Sequence, residues 1–148
     1  NEHLPTSQYL SLNNAHINNR LKNVILTLAP NRRNLIIVDA KGFANSIKLT
    51  NKIDKLCAFK LSPNGQFIYS LSNTGWLSKF DLLQMKVTHE IKISLKAELF
   101  SLSTMDEYII VANTSPSNLI VLSTHTLRVI KTIKLKTKSL LLNFIFLS

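Results

Sequence analysis

One cysteine, one tryptophan, three glycines and four prolines in 148 residues leave this chain few of the usual means of building a chemical site. A single thiol, Cys57, can make no internal disulfide and no cysteine-cluster metal site. His3, His16, His89 and His125 stand far apart, with no HxH, HExxH or His-Cys spacing that would gather ligands around a metal. No GxGxxG, Walker loop or GxSxG occurs, so neither a glycine-rich phosphate cradle nor a nucleophile elbow is written into the chain. No apolar run approaches the ~18 residues a membrane-crossing helix needs.

Acidic residues are scarce as well: 8 Asp and Glu face 18 Lys and Arg, giving a net charge of +10. A nucleic-acid surface would gather those cations on one face with aromatic partners. Here they are scattered singly, and Arg32-Arg33 is the one basic doublet. The charge therefore predicts a solvated basic surface with non-specific attraction for polyanions.

What the chain does have is apolar alternation. A hydrophobic content of 45% is enough for one domain with a real core, and the length is too short for two of ordinary size. Residues 1–22 are polar and rich in Asn, and they are read as an arm or linker; residues 23–148 carry the folded part. The texture is clearest from Lys55 to Leu82. An apolar run meets the turn Ser62-Pro63-Asn64-Gly65, a second run spans 66–72, Asn73-Thr74-Gly75 makes another turn, and a third run ends at Asp81. Pro63 pre-sets the φ of a turn corner, while Asn64 and Gly65 tolerate the positive φ that other residues resist. Three strands of a meander follow.

The pattern repeats. Leu61-Ser62 returns as Leu102-Ser103, 41 positions on, and Asp39, Asp81 and Ser123 recur 42 apart at strand ends. Ile47-Lys48, Ile91-Lys92 and Ile133-Lys134 close successive units. In the first unit strands are predicted at 24–28, 35–38 and 46–49, with a fourth beginning at Leu56. A period of roughly 40–45 residues with four short strands marks β-propeller blades, and period-2 alternation excludes helical solenoids. The predicted fold is all-β: an incomplete propeller arc of about three four-stranded, WD/YVTN-like blades, a fragment of a larger propeller. Closed propellers need at least four blades. The tail 139–148 is read as the opening strand of a further blade. Asp39 and Asp81 suggest a catalytic pair by eye, but at strand ends they serve better as caps of the following turn.

The broad WD-repeat class shares the Ser-Pro-Asn-Gly turn and the strand endings Val38-Asp39 and Phe80-Asp81, but its Trp-Asp pair and Gly-His element are missing here. The run from Leu61 to Leu82, continued by Glu90–Ile93, Glu98–Ser101, Tyr108–Asn113 and Thr126-Leu127, resembles more closely the cytochrome d1-type haem propellers. These are the d1 domain of nitrite reductase and its relatives in haem d1 biosynthesis. Thr74 to Leu83 is most similar to that biosynthetic, NirF-like branch.

The resemblance implies a propeller holding an acidic iron tetrapyrrole, haem d1 or a precursor, over its axis, with a role in denitrification and a periplasmic location. The family's axial histidine falls by this matching at or beside Leu56-Cys57, where no histidine stands. Cys57 can replace it as a thiolate ligand of the iron, or it is a small buried hydrophobe. Arg32, Arg33, Lys60 and Lys79 are candidates for the tetrapyrrole carboxylates. Trp76 either stacks on a planar ligand or fills space between blades. The alternative function is a non-catalytic propeller presenting its faces to protein partners.

Overall fold

Strand pairing follows the repeat almost residue for residue. The computed structural model describes residues 3–4, 16–18, 24–93, 97–102, 107–114 and 117–136; their strands form three antiparallel sheets, and no helix occurs among them. In chain order the strands are β1 (His3–Leu4), β2 (His16–Asn18), β3 (Val24–Leu28), β4 (Leu35–Val38), β5 (Ala44–Ile47), β6 (Leu56–Leu61), β7 (Phe67–Ser72), β8 (Trp76–Asp81), β9 (Lys86–Lys92), β10 (Ala97–Leu102), β11 (Tyr108–Thr114), β12 (Ser117–Ser123) and β13 (Val129–Lys134). The second sheet runs β6-β7-β8-β9 and the third β10-β11-β12-β13, each a four-stranded meander.

The first sheet has the order β1-β5-β4-β3-β2. Two segments of the polar stretch expected to be an arm are therefore strands: His16–Asn18 pairs with β3, and His3–Leu4 pairs with β5. Alternation is hard to see over two or three residues, so strands this short leave no pattern in the sequence. The strand beginning at Leu56 opens the second sheet rather than closing the first, and the strand expected at 46–49 runs from Ala44 to Ile47. The tail 139–148 lies outside the described residues.

Apolar side chains sit where neighbouring sheets meet. Leu26, Leu28, Leu35, Ile47 and Leu49 of the first sheet pack with Leu56, Phe59, Ile68, Phe80 and Leu82 of the second. Tyr69, Leu71 and Leu77 pack with Ile109, Val111, Ile120, Leu122 and Leu127 of the third. The second sheet is thus covered on both faces. That is why β7 and β8 read as nearly continuous buried runs, whereas the solvent-facing outer strand β13 is exposed throughout.

Side-chain acceptors shape the turns. Asp39 Oδ1 accepts from the amides of Lys41 and Phe43, and Asp81 Oδ1 from those of Leu83 and Gln84. The two aspartates are turn caps. Ser62 Oγ donates to Asn64 Oδ1 (2.6 Å) and accepts from the Phe67 amide (3.0 Å), while Gly65 takes φ 74° in the Ser-Pro-Asn-Gly turn. Between sheets, buried Lys79 donates from Nζ to the Thr124 carbonyl (2.8 Å) and lies 4.1 Å from the centre of the Phe67 ring. Glu90 accepts from Thr50 Oγ1 (2.7 Å), Ser78 Oγ (2.9 Å) and the Asn51 amide (3.0 Å), fastening the connection into the second sheet onto its outer strands.

Candidate functional site

Cys57 sits on an irregularity. In the ladder between β6 and β7, Leu56 pairs with Ser72 and Ala58 with Leu71, so Cys57 is the extra residue of a β-bulge. The third sheet repeats the feature between Ala97 and Leu99, 41 positions on. A bulge lifts one residue out of the ladder and re-aims its side chain, which is why bulges recur beside sites. Cys57 is half-buried and takes part in no disulfide.

Arg32 holds this bulge from the neighbouring sheet. Its Nε donates to the Leu56 carbonyl (2.9 Å) and its Nη2 to the Cys57 carbonyl (2.7 Å), while the Leu56 amide donates back to the Arg32 carbonyl (2.6 Å). To reach it the β3–β4 loop turns sharply: Arg32 adopts φ 56°, a left-handed conformation that costs a residue with a Cβ about 1 kcal/mol or more. Two further contacts set the loop, from the Arg32 amide to the Ala29 carbonyl (2.8 Å) and from the Arg33 amide to Asn31 Oδ1 (2.9 Å). The guanidinium is planar and forked, so it can span two consecutive carbonyls as an ammonium cannot.

Beside this clamp lies an open cleft of about 330 Å³ lined by Pro30, Asn31, Arg32, Arg33 and Lys55. Three of its five lining residues are cations and none is acidic. Lys55 is a site residue that sequence reasoning misses. Its position directly before the inner strand β6, opposite a loop carrying the one basic doublet, is the signal that marks it.

The other candidates are placed as follows. Lys60 is half-buried further along β6, opposite Tyr69. Trp76 opens β8, two strands out from β6 and so roughly 10 Å away in the plane of the sheet; its ring carries Lys52 Nζ at 4.1 Å and Lys92 Nζ at 5.9 Å. The structure brings Arg32, Arg33 and Cys57 together and leaves Trp76 apart from them. Lys79, engaged with Thr124 between sheets, is a packing residue rather than a ligand-facing one. His89 and His125 are exposed, and no group of three or more metal-ligating side chains occurs among the described residues.

Three sheets of this topology, stacked face to face, are blades of a partial β-propeller. A family model described as the cytochrome D1 heme domain matches residues 19–140. The chain belongs to that family. The dihydro-heme d1 dehydrogenase of Pseudomonas aeruginosa is 24% identical over 111 residues, which are 75% of this chain and 22% of that protein. The chain thus spans about a fifth of the curated relative it matches.

Solved structures agree on the fold. Dihydro-heme d1 dehydrogenase NirN in complex with DHE superposes with a TM-score of 0.66 at 21% identity, over 80% of this chain and 26% of that one. Apo AztD from Citrobacter koseri gives 0.65 at 16%, over 77% and 33%. A chain of the mitotic checkpoint complex gives 0.67 at 14%, over 88% and 41%.

Proposed function

We propose that this chain is part of a propeller that holds an acidic iron tetrapyrrole of the haem d1 type, in the branch of the family that makes the cofactor, and that it acts in the periplasm within denitrification. Family membership and the likeness to a dihydro-heme d1 dehydrogenase support the ligand class. The observation in the chain itself that carries the reading is the β6 bulge: Cys57 lies at the start of an inner strand, out of the ladder, with its carbonyl pinned by Arg32.

The residues suit such a ligand. A thiolate is an accepted axial ligand of haem iron, and Arg33 and Lys60 are cations able to pair with peripheral carboxylates. Arg32, whose guanidinium is bound to backbone carbonyls, acts as a positioning residue that fixes the direction in which Cys57 leaves the strand. When bound, an iron tetrapyrrole would supply redox and ligand-exchange chemistry; Cys57 would hold its iron, and Arg33 and Lys60 would supply the counter-charges. The scaffold alternative draws on fold likeness alone, and fold does not fix function.

The test is the visible absorption spectrum of the full-length protein purified from its source and, in parallel, titrated with haem d1. A Soret-like band with far-red absorption, shifted or lost in Cys57→Ala, is expected. A colourless protein that takes up no added haem d1 or precursor would overturn the reading.

A further inference from the structure

The cleft between the β3–β4 loop and β6 has a charge balance that its surroundings do not settle. Arg33 and Lys55 are exposed, and neither side chain has a hydrogen-bond or ion-pair partner among the described residues. Arg32 uses two of its donors on the Leu56 and Cys57 carbonyls, and a guanidinium has five. Three like charges thus converge on one concavity with no acid in its lining. They are held there by an αL conformation at Arg32 and by the Asn31 cap on Arg33.

We propose that this cleft is a binding site for a small oxyanion, a carboxylate or phosphate group gripped by Arg33 and Lys55 with the remaining donors of Arg32. Size sets the class. A volume of about 330 Å³ is near the bottom of the roughly 300–1,000 Å³ that drug-sized ligands fill. The cleft itself therefore has room for an acidic group, and a whole four-pyrrole ring would lie largely outside it. Pro30 fixes one wall, and forked Arg donors match a planar or tetrahedral oxyanion. The occupant is either a free small anion or the acidic arm of a larger ligand whose body lies elsewhere. The anion site stands without the tetrapyrrole reading, although that reading supplies one such arm.

The experiment uses the full-length protein freed of any tetrapyrrole. Inorganic phosphate and succinate are titrated calorimetrically at low ionic strength into wild type, into Arg33→Gln/Lys55→Gln, and into Lys41→Gln/Lys48→Gln. The last removes the same charge at two exposed lysines away from the cleft. Saturable binding, weakened at least roughly tenfold in the cleft variant and not in the control, is expected for a free anion, since each charge-assisted bond is worth about that factor.

A second arm compares haem d1 with its fully esterified form. If small anions do not bind but the cleft variant loses roughly tenfold affinity for the acid and none for the ester, the oxyanion is the arm of the larger ligand and the site stands. Equal weakening in the control variant would reduce the effect to bulk charge and overturn the proposal. Failure of both arms would do the same, and the phosphate titration discriminates whether or not any tetrapyrrole binds.

Discussion

Nη2 of Arg32 lies 2.7 Å from the carbonyl oxygen of Cys57, 25 positions further along the chain and in a different sheet. That bond joins a strained loop to a bulged strand, and each irregularity explains the other. Arg32→Ala should destabilise the protein by about 2–4 kcal/mol, because two charge-assisted bonds to partly buried carbonyls are lost. Arg32→Gly should cost about 1 kcal/mol less, since glycine accepts φ 56° without strain. Arg32→Lys should rescue little, having no fork. Urea unfolding of the three variants measures the ranking; alanine milder than glycine would show that the αL conformation carries no cost.

Lys79 is a second tie between sheets, 6% exposed, with Nζ on Thr124 O and its charge over Phe67. Lys79→Ala leaves a cavity and should cost about 2–5 kcal/mol. Lys79→Met keeps the stem's packing and removes a buried charge, so its cost should stay within about 1 kcal/mol. Equal losses for the two would place the value of this residue in its ammonium rather than its stem.

Glu90 gathers Thr50, Asn51 and Ser78 on one carboxylate. Glu90→Ala should cost about 2 kcal/mol, given three bonds to a half-exposed acceptor. It should also speed amide exchange at Asn51, whose N–H donates to Oε1. Exchange at Phe59, in the middle of β6, should be unchanged. If Asn51 exchange stays slow in the variant, the carboxylate does not fasten this connection.

Thr27 and Ser70 make a prediction of opposite sign. Both are buried, at 0% and 1% exposure, and their hydroxyl oxygens have no hydrogen-bond partner among the described residues. A buried hydroxyl without a partner costs stability. Thr27→Val and Ser70→Ala should therefore each stabilise by roughly 0.5–1.5 kcal/mol, seen as a higher urea midpoint with an unchanged slope. A loss of stability in both would mean the hydroxyls are satisfied in solution.

Much of this fold is legible in the sequence because each blade repeats turn chemistry at a fixed spacing. Asp39, Asp81 and Ser123 mark equivalent strand ends, and the structure shows each accepting amides of its turn. The first sheet is harder to read, since β1 and β2 are two and three residues long and carry no visible alternation. Half of the candidate site is equally legible. Cys57 and the doublet Arg32-Arg33 are conspicuous as the lone thiol and the lone basic pair, but that Arg32 serves the backbone and that Lys55 faces the doublet depend on pairing between sheets. Local spacing carries no record of a contact spanning 25 residues. Trp76 is conspicuous as a rare aromatic, yet its ring is occupied by Lys52.

The strand order of the second and third sheets has a consequence for how the chain acquires its structure. Every pairing in them joins strands adjacent in sequence, so each can zip up as successive hairpins with little loop entropy to overcome. In the first sheet the partners His3 and Asn45 must find each other across the whole unit. A nascent chain can therefore finish each later blade soon after its fourth strand emerges, whereas the outermost strand of the first waits for a distant partner and should be the first to fray.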